Sequence, residues 1–174
     1  MSKPSPAEPV KLTASIFYAD PCLLKGVLEE LSGAYGDVDF ISQEMPFHYT
    51  EYYAKEMGSS LNRRFAFFEA PMRPESLPDV KLFTNRVENR LSVDGLRRVN
   101  IDPGYISKAH LILATGKGYT HRPYLRDGIY ADVTLVYTDK SFHPLSWTYP
   151  DYAEKKVIDI FNRIRAKYVE QLRH

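Results

Sequence analysis

Apolar and polar positions alternate along this chain with two periods, and the switches between them mark the elements. Residues 1–10, MSKPSPAEPV, hold Pro4, Pro6 and Pro9 and few apolar side chains, so they read as a flexible, Pro-rich tail. KLTASIFY (11–18) is rich in β-formers and predicts a first strand. In DPCLLKGVLEELSGAYG the period becomes helical: Leu24, Val27, Leu28 and Leu31 form one stripe. Asp20 can cap this helix, Pro21 suits its first position, and Gly33 and Gly36 offer stops. VDFISQEM (38–45) predicts a strand. HYTEYYAKEMG is ambiguous, with Thr50 and Gly58 placed to bound a short helix and aromatics that also suit an extended segment.

RRFAFFEA (63–70) alternates Arg64, Ala66 and Phe68 against Phe65, Phe67 and Glu69, as a strand does. A second helix is predicted over Glu75–Leu91, with Leu77, Val80, Phe83 or Thr84, Val87 and Leu91 on one side and Pro78 in its first turn. RRVNI (97–101) reads as a short strand closed by a turn at Asp102-Pro103-Gly104. HLILAT and GIYADVTLVY add strands, SFHPL an edge, and Asp151–Leu172 a long helix whose Val157, Ile160, Phe161, Ile164, Tyr168 and Leu172 keep helical spacing. The order β-α-β, β-α-β predicts an α+β fold: a ferredoxin-like βαββαβ core with a mainly antiparallel sheet, an extra C-terminal strand pair and a long C-terminal helix. Residues 11–174 are expected to form one domain.

Composition narrows the function classes. Lys plus Arg number 23 and Asp plus Glu 22, so the chain lacks the basic excess of a general nucleic-acid binder. Its one cysteine, Cys22, excludes an internal disulfide framework and a thiolate zinc cluster. Cys22 reads as a packed core residue. No secretory apolar segment follows Met1, and no apolar run approaches the ~20 residues of a membrane span. The expectation is a cytoplasmic protein without a membrane. Thirteen Tyr and nine Phe exceed the needs of a core of this size, so part of them is expected to line clefts.

Candidate chemistry concentrates in ATGKGYTHRPYLRDGIY (114–130). Gly116-Lys117-Gly118 does not make a phosphate loop of Walker type, which needs a glycine where Leu111 stands and a Ser or Thr where Gly118 stands. The glycines serve a turn. Lys117, His121, Arg122 and Arg126 fall in a connection between strands, where binding groups are often presented. Lys and Arg can clamp a phosphate or carboxylate, and His121 can move a proton near neutral pH. Asp132 is a carboxylate in an apolar strand and needs a partner if buried, which His121, Arg122 or Arg126 can supply. Tyr130, Asp102 and Tyr105 are the expected additional lining. His48-Tyr49-Thr50 has the His-x-Thr form of two-histidine phosphoesterases, but no second copy exists. No spacing marks a metal site, and no cofactor is indicated.

YYAKEMG, KLFTNRVE, RRVNIDPGYI, LILATGKGYTHRPYLRDGIYADVTL and PLSWTYPDY together resemble a bacterial family known as domain of unknown function 4416. The resemblance covers the chain after its Pro-rich tail and implies one compact bacterial domain. Some relatives carry the label "GTP-binding protein". Two functions stand beside each other. One is binding of a small anionic or phosphorylated ligand, a nucleotide included, at residues 117–132, with an enzymatic version in which His121 and Asp132 are catalytic and a phosphoester is hydrolysed. The other is a non-catalytic module that docks a protein through its Tyr-rich surface.

Overall fold

The structure is a computed structural model that describes residues 1–48, 54–57 and 60–173. Its strands are β1 (Val10–Tyr18), β2 (Val38–Ile41), β3 (Met45–Phe47), β4 (Leu61–Met72), β5 (Val99–Ile106), β6 (His110–Thr115), β7 (Tyr124–Arg126), β8 (Ile129–Thr138) and β9 (Ser141–Pro144). Helices are α1 (Cys22–Tyr35), the short α2 (Ala54–Met57), α3 (Leu77–Leu91) and α4 (Lys155–Gln171). Thr50 and Gly58, expected to bound the short helix, lie outside the described residues. Every pairing among the described strands is antiparallel, in the order β2-β4-β1-β5-β6-β8-β7, with β3 also on β4 and β9 also on β8. Among the described residues no helix is long and apolar enough to cross a membrane.

Period-two alternation in β1 and β4 divides the core into two layers. Leu12, Ala14, Ile16 and Tyr18 of β1 join Ala66 and Phe68 of β4 under Val27 and Leu31 of α1 and Val80 and Val87 of α3. Both crossover helices therefore cover the same face. The other face is covered by α4, whose Val157, Phe161, Ile164 and Tyr168 pack on Phe65, Phe67, Leu111, Leu135 and Phe142. Phe65 and Phe67 each meet Phe161 edge-on, with centroids 5.2 and 5.5 Å apart. Full burial of such a ring contributes roughly 1.5–3 kcal/mol. Lys11, on the α4 side of β1, is 1% exposed and places its ammonium 2.8 Å from Asp39 of β2 and 2.9 Å from the Phe68 carbonyl. Lys167 of α4 reaches the same Asp39 oxygen at 2.9 Å. Burial works to raise the Asp39 pKa, but the two ammonium groups outweigh it and hold the carboxyl below its usual value.

Several expectations are corrected. VDFISQEM is two strands in series on the edge of β4, interrupted where the Ser42 hydroxyl accepts the Phe65 N–H at 2.9 Å. The last helix begins at Lys155 rather than Asp151, because residues 151–154 form turns. Cys22 is exposed at the start of α1, not packed in the core; its N–H donates to Asp20 Oδ1 at 2.9 Å. Asp102-Pro103-Gly104 is not a turn but the middle of β5. Strict alternation in β8 also fails: Leu135 pairs with Leu111 and Val133 with Ile112, so Thr134 is an extra residue in a bulge.

Candidate functional site

The reason for the strand through Asp102-Pro103-Gly104 is also the origin of the site. β5 pairs with β6 only from Gly104 to Ile106, opposite Leu113 to Leu111. Residues 101, 103 and 105 turn their backbone groups toward β6, and Pro103 has no N–H to give. At Gly104 the strands come so close that a Cβ would stand 2.4 Å from the Ile112 carbonyl oxygen. Beyond that point Ala114 to Lys117 diverge from Val99 to Pro103, and the sheet opens into a cleft of about 690 Å³.

The edge of β5 left open is completed by α3. Lys81 donates to the Ile101 carbonyl at 3.0 Å, and Glu88 Oε1 accepts the Ile101 N–H at 2.6 Å. With Asn85 they lie at i, i+4 and i+7, one polar stripe beside the apolar one that holds α3 to the sheet. All three line the cleft. Lys81 also meets Asp102 Oδ1 at 3.4 Å, Asp102 Oδ2 accepts the Asn100 amide at 2.9 Å, and Asn100 accepts Arg97 at 2.9 Å. Arg97 ends the row on Glu56 at 2.6 Å. Burial pushes the Glu88 carboxyl above its usual pKa, against the pull of Lys81 and the Ile101 N–H.

The 114–130 region divides between the cleft and its outer wall. Lys117 is exposed at the cleft rim, its N–H on Thr115 Oγ1 at 3.1 Å, and the segment runs on toward β7 without opening a helix. Asp132 lines the cleft and is partnered by Arg122, whose Nε donates to Oδ2 at 2.7 Å, and by His121 Nε2 at 3.4 Å. Burial alone would lower the Arg122 pKa, but its bonds to Asp132 and Tyr149 outweigh burial and leave it raised. Arg122 is thereby committed to a carboxylate of its own chain. His121 stacks on Trp147 at 4.9 Å and lies off the cleft. Arg126 is on the surface, bonded to Asp79 and Asp127 at 2.5 and 2.6 Å. Tyr130 packs on Tyr124 and against Gly118; Tyr105 packs beside Leu77, Ala114 and Ile129. Of the residues singled out from the sequence, Lys117, Asp102 and Asp132 line the cleft; His121, Arg122, Arg126, Tyr105 and Tyr130 do not.

The fourth wall is the strap from Leu145 to Glu154. Trp147 Nε1 donates to the Val133 carbonyl at 2.8 Å and Thr148 to the Thr134 carbonyl at 2.6 Å, both at the β8 bulge. Tyr149, Pro150, Asp151 and Tyr152 then line the cleft beside Phe17 and Phe47. Arg63, 3% exposed, ion-pairs with Asp151 behind this wall. Its guanidinium sits 4.5 to 5.5 Å from the ring centres of Phe17, Phe47, Phe65 and Tyr152. Among the described residues its Nε has no hydrogen-bond partner. Complete burial drives the Tyr152 hydroxyl pKa far upward.

Sequence reasoning missed Lys81, Asn85, Glu88, Asn100, Arg63 and Asp151. The available signal was the i, i+4, i+7 polar stripe directly adjoining Val80, Thr84 and Val87. Among the described residues no group of three or more His, Cys, Asp or Glu could hold a metal ion. With acids, cations, amides and rings on one surface, the cleft suits a small polar organic molecule that hydrogen-bonds on one side and packs apolar surface on the other.

A family model described as Domain of unknown function (DUF4416) matches residues 8–168, and the chain belongs to that family. No curated protein and no solved structure matches this chain.

Proposed function

We propose that this DUF4416 chain binds a small organic ligand with an anionic group in the cleft between β5 and β6. One observation carries the reading. Lys81, 8% exposed, has three N–H donors and two acceptors among the described residues, so one donor is left at the cleft surface. A buried ammonium with an unused donor recruits an acceptor oxygen, and a phosphate or carboxylate is the strongest available. Lys117 at the rim adds a second cation to the same space. The expected anion site thus moves from Arg122, which Asp132 already satisfies, to Lys81. Hydrolysis by His121 receives no support from geometry, since the ring is stacked on Trp147 outside the cleft.

The test is a thermal-shift panel of phosphorylated and carboxylated small molecules, with GTP included with and without magnesium. Binding raises Tm by mass action, by about 2.7 kcal/mol of stability at a hundredfold excess over Kd. Ligand-induced shifts that disappear in Lys81→Met support the reading. Shifts unaffected by Lys81→Met and lost in Arg122→Ala would move the site back to the 117–132 loop.

Two further parts of the proposal concern class. The succession β1-α1-β2-β4-α3-β5, with sheet order β2-β4-β1-β5 and both helices on one face, supports a ferredoxin-like core carrying β6 to β9 and α4 as an extension. The single cysteine fits a reducing compartment, and a cytoplasmic location is part of the reading.

A further inference from the structure

We infer that the ligand of this cleft is a sugar phosphate, its hydroxyls read by α3 and β5 and its carbon skeleton packed on the aromatic side; this rests on the anion-binding reading above. A sugar hydroxyl both donates and accepts, so a site for several of them needs donors and acceptors close together and already oriented. The cleft has that mixture on two neighbouring elements. Lys81 donates, Asp102 accepts, and Asn85 and Asn100 carry amides that do both. Lys81, Asp102 and Asn100 are fixed before any ligand arrives. Asn100 is 4% exposed and is held from both ends, its amide on Asp102 at 2.9 Å and its carbonyl under Arg97 at 2.9 Å. Side chains already locked by their neighbours lose little freedom on binding.

The aromatic side favours a saturated ring over a planar base. Phe17, Phe47 and Tyr152 all line the cleft, but the Arg63 guanidinium lies over each of these rings. Phe17 and Phe47 also meet edge to face at 4.6 Å. These three rings are locked into a cluster, and they give the ligand apolar surface rather than an open slot for stacking between two faces. A pyranose or furanose presents C–H groups on the same ring that carries its hydroxyls, which matches a cleft polar on α3 and β5 and apolar at Phe17 of β1, Phe47 of β3 and the Pro150 and Tyr152 part of the strap. Lys117 and the unused Lys81 donor meet the phosphate.

Hexose and pentose phosphates, inorganic phosphate, phenyl phosphate, GMP and GTP are compared at equal concentration by thermal shift, and those that bind are titrated by calorimetry. Hexose or pentose phosphates are expected to bind most tightly. Asn85→Leu, on the half-buried surface of α3, is expected to weaken them about tenfold, the loss of a hydrogen-bonding pair, and to weaken inorganic phosphate by much less. Phenyl phosphate or inorganic phosphate binding as tightly as sugar phosphates would overturn the sugar assignment and leave the anion site standing. So would nucleotides binding where sugar phosphates do not, or an Asn85→Leu protein with unaltered sugar-phosphate affinity. No response to any anion in the panel would remove both readings.

Discussion

Lys81 and Glu88 each perform two tasks, and the second can be separated from the first by pH. Both replace a strand partner at Ile101, and both face the cleft. Burial raises the Glu88 pKa, so the folded state favours the neutral carboxyl. Its contribution is complete at low pH and declines as pH rises through that raised value. A glutamine keeps the carbonyl that accepts the Ile101 N–H and never ionises. Glu88→Gln should therefore match the parent near pH 4 and exceed its stability near pH 8. Urea midpoints at the two values measure this; a parent that gains on Glu88→Gln with rising pH would mean that attraction to Lys81 outweighs burial. The Arg63–Asp151 pair gives a sharper expectation. Asp151→Asn strands a buried guanidinium and should cost about 3–5 kcal/mol, whereas Arg63→Met combined with Asp151→Leu should recover most of it. A double-mutant cycle in urea reports both numbers. Lys81 and Glu88 showed in sequence only as part of a polar helical stripe, and Arg63 and Asp151 look like further charges on a solvated face. The bonds of Lys81 and Glu88 to Ile101 depend on where β6 leaves β5, which local periodicity does not encode. Asp132 was legible for the opposite reason: a carboxylate among Ile129, Ala131, Val133 and Leu135 announces its need of a partner.

At the scale of elements, the strands and helices with a clean period were readable and the interruptions were not. HLILAT is a strand over its whole length, and the α1 and α3 stripes bury the side that their spacing indicates. The Asp-Pro-Gly reading failed because Pro and Gly are turn formers only where the chain must reverse. Here Pro103 stands at an unpaired edge and Gly104 at a point of closest approach. Gly104→Ala should push β6 away from β5 and cost on the order of 2–3 kcal/mol. Its hydrogen-exchange signature would be lost protection confined to 104–106 and 111–113. Unchanged protection there would mean that the strands separate without consequence. The β7–β8 hairpin was a missed signal. Asp127 and Gly128 have φ of 54° and 76°, the left-handed pair of a two-residue hairpin turn, and Asp-Gly is the sequence that such a turn favours. Asp139 and Lys140 make the same turn between β8 and β9 at 48° and 65°, with no glycine to advertise it. The bulge at Thr134 had no signal in the residues around it. Its use becomes visible only with the strap, which bonds to the two carbonyls that the bulge displaces.

Taken as a whole, the molecule is tied together near its two ends. Tyr168 donates to the Pro9 carbonyl at 2.7 Å, Gln171 accepts from Lys11 at 3.3 Å, and Lys167 shares Asp39 with Lys11. Lys11→Met leaves Asp39 with one cation in place of two and should cost about 3 kcal/mol, with the loss of stability on acidification reduced as well. Asp39 holds its proton off below the usual range only because two ammonium groups face it, and what it contributes fades as pH falls through its lowered pKa. Acid titration of the variant followed by circular dichroism measures both effects. This arrangement also bears on how the chain is made. A ribosome releases β1 long before α4 exists, and the face of β1 that α4 will cover has no lid until residues 155–171 emerge. That face begins Lys11, Thr13, Ser15 rather than with a run of large apolar side chains. The first strand can wait in water on that side while the intervening elements are made, and only α4 converts it into an interior.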